Sequence, residues 1–389
     1  MSVKSICIIT DRYPTKEYPI NTFLDQLVCE FADLGIECTV IAPYSPLLDK
    51  LKKNQYHPSS HWVKTTKNGA EINIYCPPIL SLLGRKVGFI NFAEIYQRQF
   101  TNAVKKQLKI IDKEFDIFYA HFISPSGLAA AELGKEMGKQ VYIAYGESSL
   151  SNVTSNFDID FVRNTLRNVS GIISVSSKNK EELIQNHVVP SDIIEVFPNS
   201  IDTSTFYKMD RKEARVELGI DENAFIVAFV GHFIHRKGSL RVSEAIDRLD
   251  GVNSFFIGAG ELEPTCKGIL HSGRLPHDEI VKYLNAADVF VLPTLAEGCC
   301  NAIVEAMACG LPVISSNLPF NDDILDESCS IRIDPSSIEE LADAIELLKN
   351  DTEFREKLSE GALSKAKGLT IDQRAKAILR FIEEKRCKL

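Results

Sequence analysis

Two carboxylates, Glu297 and Glu305, stand eight positions apart in the run EGCCNAIVEAMACG, with no other charge between them. The residues after the first acid, Asn301 to Cys309, predict a helix that Gly310 terminates and Pro312 keeps from continuing. Nine helical residues span only about 13 Å. Glu305, near mid-helix, would therefore lie within reach of a nucleotide whose phosphates rest on the helix N-terminus. The free amides and the helix dipole form an anion site there that needs no metal. Glu297, on the far side of the phosphates, would face a sugar. Carboxylates accept hydrogen bonds from paired hydroxyls, so two acids around a phosphate cradle suit a sugar on one side and a ribose on the other. Glu305 also has a plain reading as an exposed helix residue, against which its apolar neighbours in AIVEAMACG argue for partial enclosure. Lys237 followed by Gly238 brings a cation to the start of a second helix.

The elements that position these groups follow from the rest of the chain. At 389 residues it fits two domains of comparable size, and 44% hydrophobic with 25% charged residues is the composition of a globular protein. No apolar run approaches the roughly 20 residues that span a membrane, and the start MSVKSICIIT is too short an apolar run for a secretory signal, which predicts a cytoplasmic address. The ten cysteines include no CxxC pair and no His/Cys cluster at metal-ligand spacing, so packed, reduced thiols are expected. Apolar runs predict strands at SICIIT, ECTVIAP, INIYCP, IFYAHF, VYIAYG, GIISVS and IIEVFP, each separated by room for a helix, which predicts a parallel α/β sheet. After the turn-rich VFPNSIDTSTFY the alternation restarts at FIVAFVG and continues through NSFFIGAG, ILHSG, VFVLP, PVISS and SIRI. The domain boundary is expected near residue 200, with ligands at the carboxyl ends of the strands and in the cleft between the domains. The first strand runs into DRYPTKEYPINTF without G-x-G-x-x-G, which removes a nicotinamide dehydrogenase as the leading reading.

The net charge of −9 lies entirely in the second half, while residues 50 to 110 carry 11 basic side chains against two acids. With Trp62, Leu82, Leu83, Val87 and Phe89 among Lys52, Lys53, Arg85 and Lys86, that segment is either a surface for anionic membrane lipid or a solvated helix face.

LPTLAEGCCNAIVEAMACGLPVISS resembles the E-x7-E signature of the retaining glycosyltransferases of family 4. AFVGHFIHRKGSL is similar to that family's phosphate loop, HSGRLPHDEIVKYLNAADVFVLP to its nucleotide-base loop and following strand, and VFPNSID to its domain linker. The four motifs occur in order and cover most of the chain. The resemblance implies an α/β GT-B fold: two Rossmann-like doubly wound domains with a cleft between them. Residues 1–198, with a crossing helix at 371–389, would form the acceptor-binding domain, and residues 199–370 the donor-binding domain. It implies a hexosyltransferase that moves a sugar, with retention, from a UDP- or GDP-linked donor to a saccharide or lipid-linked acceptor in cell-surface polysaccharide or glycolipid biosynthesis. No metal, no cofactor and no nucleic acid is implied. The implied catalytic groups are Lys237 on the diphosphate, Glu297 on the donor sugar and His121 facing it. Glu305 takes the ribose, and Gly231, His232, Arg236, Arg274, Leu275, Gly298, Cys299, Cys300, Asn301 and Ala302 complete the donor set.

Several positions depart from the pattern. His232 stands where the family usually has arginine, and a neutral imidazole cannot grip phosphate bidentately; Arg236 either supplies the missing charge or is a surface residue. On the acceptor side, Asn21 and Thr22 in YPINTF replace small residues, and Asn21 either caps a helix or contacts acceptor. The family's H-G-x-D becomes YGES, which puts Tyr145 and Glu147 in the acceptor set. Two other readings remain at this point: a GT-B nucleotide-sugar epimerase and a degenerate nucleotide-sugar-binding protein.

Overall fold

The computed structural model describes residues 2–18, 20–51, 56–80, 86–87 and 90–387, with the backbone alone at 86, 87 and 90. Lys52, Lys53, Leu82, Leu83, Arg85 and Phe89 of the basic segment, and the side chains of Lys86 and Val87, lie outside that description. The chain divides into two compact units, residues 1–197 with 371–389, and residues 198–370.

In chain order the first unit begins β1 (Ser5–Ile9), α1 (Thr22–Asp33), β2 (Glu37–Ile41), α2 (Pro46–Leu51), β3 (His61–Thr65) and β4 (Glu71–Tyr75). A two-stranded ribbon, β5 (Lys86–Val87) and β6 (Ile90–Asn91), leads into α3 (Phe92–Ile111), β7 (Ile117–His121) and α4 (Leu128–Met137). Then come β8 (Gln140–Tyr145), α5 (Ser151–Thr154), α6 (Ile159–Leu166), β9 (Gly171–Ser174), α7 (Ser177–Gln185) and β10 (Ile194–Val196). The main sheet runs β10-β9-β8-β7-β1-β2-β4-β3. The expected strands are present, but the sheet is not wholly parallel. β3 pairs antiparallel with β4 at the edge, because only the tight turn Thr66–Ala70 separates them, with Gly69 at φ +88° and the Thr66 amide donating to the Ala70 carbonyl. A hairpin of that length has no room for a crossover helix.

The second unit contains α8 (Arg211–Leu218), β11 (Phe225–Val230), α9 (Ser239–Asp247), β12 (Val252–Ile257), β13 (Ile269–Gly273), α10 (His277–Ala286) and β14 (Val289–Leu292). It continues with α11 (Asn301–Ala308), β15 (Val313–Ser316), β16 (Ser330–Ile333), α12 (Ile338–Asn350) and α13 (Thr352–Ala366). Its six strands are all parallel in the order β13-β12-β11-β14-β15-β16, the 3-2-1-4-5-6 order of a doubly wound sheet.

The final helix, α14 (Ile371–Arg386), belongs to the first unit. Ile371, Ala375, Ile378, Phe381 and Ile382 share a core cluster with Leu24, Leu27, Val28 and Phe31 of α1, whose i, i+3, i+4, i+7 spacing gives that helix one apolar face. Tyr142 in β8 donates its hydroxyl to the Ile382 carbonyl at 3.1 Å. Gly171 at the start of β9 is required here, since a Cβ would come within 2.8 Å of the Phe381 ring. Among the described residues no helix is long and apolar enough to cross a membrane.

Candidate active site

A doubly wound sheet offers its ligand site where successive crossovers leave in opposite directions, because the loops there diverge and open a crevice at the strand ends. In the second unit that point lies between β11 and β14, neighbours in the sheet whose chains turn to opposite sides. The loop after β11 carries Gly231 to Gly238, and the loop after β14 carries Thr294 to Gly298. Gly258, directly after the neighbouring β12, must be glycine, for a Cβ there would lie 1.9 Å from the Gly231 carbonyl oxygen. Gly238, at φ +84°, turns the chain into α9. Arg241 ties the two loops together by donating to the His235 carbonyl at 2.9 Å and to the Pro293 carbonyl at 2.7 Å.

Between these loops three donors converge on one oxygen of Glu297. Lys237 Nζ lies 2.5 Å from Oε1, Arg236 Nη1 2.6 Å, and Thr294 Oγ1 3.0 Å. Arg236 also donates to the Ala296 carbonyl. The side chains of Lys237 and Glu297 are each only 12% exposed. Burial pulls the Lys237 pKa down, but the Glu297 carboxylate beside it outweighs that, so its net direction is up and the lysine stays charged. The switch point puts the Lys237 and Glu297 side chains in direct contact. Arg236 is resolved as a partner of the acid and not a bland surface cation.

The loop passes through Gly298 and Cys299 into α11, with Cys300 as its N-cap residue and Asn301 and Ala302 opening the helix. Asn199 fixes this entry, donating from Nδ2 to the Cys299 carbonyl at 2.9 Å. Cys300 is buried and its thiol pKa is raised by burial, so it remains a neutral group beside the amides. Asn301 Oδ1 is enclosed without a partner among the described residues. Glu305 is partly enclosed, not solvated, and pairs with His277 Nε2 at 3.2 Å. The hydrogen bond to Glu305 raises the His277 pKa, and the Phe206 ring stands edge-on to the imidazole at 5.0 Å. His277 was not singled out from sequence; its place at the first position of α10, directly after Pro276, was the available signal. Gly231, His232, Arg274 and Leu275 meet around one cavity of about 250 Å³ with Ile257, Gly258 and Ile280.

In the first unit the switch point lies between β1 and β7. His121 ends β7 there. It is 1% exposed, burial followed by the Arg374 charge lowers its pKa to about 3, and Nδ1 has no partner among the described residues. The imidazole is therefore neutral, held between the rings of Phe23 at 5.1 Å and Phe122 at 4.7 Å. Phe122 has φ +70°, a strained conformation for a side-chain-bearing residue. Glu147, just past β8, accepts from the Ile123 amide at 2.7 Å through Oε1, while Oε2 is enclosed without a partner among the described residues. Burial raises its pKa to about 7.

Tyr145 ends β8, and Asn21 and Thr22 stand at the start of α1. Tyr145 is fully buried and donates its hydroxyl to Glu182 of α7 at 2.6 Å. Asn21 occupies the N-cap position of α1 in a left-handed conformation, φ +55°, yet makes no side-chain cap; its amide donates to the Arg12 carbonyl at 3.2 Å. Thr22 is the first residue of α1 and half-buried.

The basic segment is partly neutralised from outside its own window. Lys64 pairs with Asp25 at 2.5 Å, Lys67 with Glu30 at 3.5 Å, and Lys105 with Glu136. Trp62 packs against the core cluster of α1 and α14 and is not freely presented.

Comparison with known proteins agrees with this fold. Residues 20–205 match the Glycosyltransferase Family 4 domain and residues 210–365 the Glycosyl transferases group 1 domain. The putative teichuronic acid biosynthesis glycosyltransferase TuaC of Bacillus subtilis is 29% identical over 349 residues, covering 87% of each chain. Among solved structures, sucrose-phosphate synthase from Thermosynechococcus elongatus superposes with a TM-score of 0.75 at 16% identity, over 99% of this chain and 100% of that one. Anabaena HepE in complex with UDP-glucose gives 0.70 at 16% identity, over 98% and 99%. The fold is GT-B, with two Rossmann-like units.

Proposed function

We propose that this chain, which belongs to the glycosyltransferases that join a family 4 domain to a group 1 domain, moves a hexosyl unit from a UDP-linked donor to a saccharide acceptor, with retention of configuration, in the assembly of a surface polysaccharide. The observation that carries the reading is the convergence of Lys237, Arg236 and Thr294 on Glu297 beside the N-terminus of α11. The TuaC likeness supports a polysaccharide product, and the HepE complex supports a uridine nucleotide.

In the proposed reaction the bond from the anomeric carbon to the diphosphate oxygen breaks and its electron pair stays with the diphosphate. Lys237 and the α11 amides stabilise that growing negative charge. Glu297 orients the donor sugar through its hydroxyls and holds the lysine in place. Glu305, itself oriented by His277, accepts from the ribose hydroxyls. An acceptor hydroxyl attacks on the face the diphosphate leaves, and its proton passes to the departing phosphate. No metal enters this scheme. His121, neutral at working pH, can accept or donate a hydrogen bond on the sugar side without adding charge.

The first unit would take the acceptor through Glu147, Asn21 and Thr22. Lys50, Lys106 and Lys109 are exposed on it, with Leu80 at 83% and Ile110 at 74% exposure. That mixture supports a reversible hold on the cytoplasmic face of an anionic membrane, where lipid-linked saccharides are presented. The test is a screen of UDP- and GDP-hexoses against saccharide acceptors, with the anomeric configuration of the product read by proton NMR. An α-linked product from an α-linked donor supports the reading. An inverted product, or nucleotide release with epimerised free sugar and no acceptor product, overturns it.

A further inference from the structure

The helical side of the first unit has a hollow of about 520 Å³ that the reading above leaves unused. It lies between the N-terminal half of α3, Glu132 of α4 and the segment 157–161 that enters α6. A second cavity of about 200 Å³ shares Gln97 and Phe157 with it and is also lined by Ser124 and Pro125, which follow β7, and by Glu147, which follows β8. The two cavities therefore form a sequence of spaces from the strand ends, where an open sheet binds ligand, out along α3.

Their chemistry is specific. Glu94, Glu132, Asp158 and Arg98 stand exposed at the larger hollow, three acids to one base, which disfavours phosphate and other anions and suits a neutral ligand rich in hydroxyls. Phe157 and Phe161 stack at 5.7 Å with 23° between their planes, and Phe161 is 46% exposed, so an aromatic face remains open in the wall. Gln97 is 5% exposed; its Nε2 donates to the Pro125 carbonyl at 2.9 Å, while Oε1 is enclosed with no partner among the described residues. Glu147 Oε2 is likewise enclosed and without a partner there. Two lining residues of adjoining cavities thus each keep an unmet acceptor, which suits a ligand with several donors. Planar polar side chains beside an open aromatic face are what the edges and the C–H faces of a pyranose require.

We propose that this hollow holds the non-reacting sugar units of a neutral oligosaccharide acceptor, so that the enzyme recognises a chain of two or more units and not a single sugar. The inference rests on the reading that the acceptor is a saccharide. Ligand-observed NMR titrations of the full chain with maltotetraose, cellotetraose and mannotetraose, against glucose and mannose, test it. At least one tetraose is expected to bind roughly tenfold more tightly than its single sugar, as two or three added hydrogen bonds would give. Phe161→Ala and Glu132→Gln, both at exposed positions, are expected to remove most of that gain while leaving the circular dichroism spectrum and UDP binding unchanged. Tetraoses that bind no better than single sugars, or variants that bind them like the wild type, overturn the proposal. The same samples are scored for nucleoside diphosphate release from UDP- and GDP-hexoses. Release without a chain-length effect overturns the hollow alone; absence of release with every donor overturns the transfer reading, and the hollow with it.

Discussion

Replacing Glu147 with Gln keeps the shape of the side chain and its acceptor for the Ile123 amide, and removes only the ionisable proton. The carboxyl is enclosed, and burial raises its pKa from 4.5 to about 7. In the unfolded chain this glutamate loses its proton near pH 4.5, whereas in the folded chain it keeps the proton until about pH 7. Between those limits the folded state binds more protons, so stability falls as pH rises through that window, and the whole penalty is present above it. A shift of this size corresponds to about 3 kcal/mol. Glutamine carries no such penalty. Glu147→Gln is therefore expected to match the wild type at pH 4.5 and to exceed it by up to about 3 kcal/mol at pH 8, a Tm difference of up to roughly 6–12 °C for a unit of about 200 residues. Differential scanning calorimetry from pH 4.5 to 8 reads this directly. A Tm difference that stays constant across that range would refute the argument that the carboxyl is held neutral by burial. Activity at pH 8, where the wild-type carboxyl is ionised, should move the other way, with kcat/KM for the acceptor falling about ten- to a hundredfold for a lost charged hydrogen bond and KM for the donor unchanged.

Lys237→Met removes the charge that steadies the leaving diphosphate while Arg236 and Thr294 still hold Glu297, so kcat should fall about ten- to a hundredfold; near-normal kcat in a steady-state assay would remove the lysine from the mechanism. Turnover is expected to survive EDTA, because the scheme places only a lysine and amides on the diphosphate; loss with EDTA and recovery with manganese would contradict it. Phe381→Ala empties a 6% exposed site between Gly171, Tyr142 and Phe197 and should cost about 3–5 kcal/mol in denaturant unfolding of the first unit. A cost below about 1 kcal/mol would mean that α14 does not complete that core.

What could be read in advance was what lies within one element or one loop. The helix after Glu297, its end at Gly310 and the alternation of strands are local patterns, and the structure reproduces them. Contacts between loops were not legible. Lys237 and Glu297 are 60 positions apart and meet only because β11 and β14 are neighbours across the switch point, an arrangement that depends on strand order. His277 reaches Glu305 in the same way, from the helix after β13 to the helix after β14. The partner of Tyr145 was not legible because the last residue of a strand can face solvent or the next helix; here its hydroxyl meets Glu182 on α7. The β3–β4 hairpin was missed although KNG between HWVKT and EINIY is a turn signal, since each strand alternates weakly and one of them is an exposed edge.

The central claim is that the switch point of the second unit binds the diphosphate and ribose of a nucleotide sugar. Calorimetric titration of UDP into the wild type, Lys237→Met and Glu305→Ala, with EDTA present throughout, tests it most directly. The account predicts measurable binding by the wild type and a loss of roughly ten- to a hundredfold in each variant, as expected for one charged hydrogen bond removed from the phosphates or the ribose. UDP affinity equal in all three proteins, or no binding by the wild type, would contradict it.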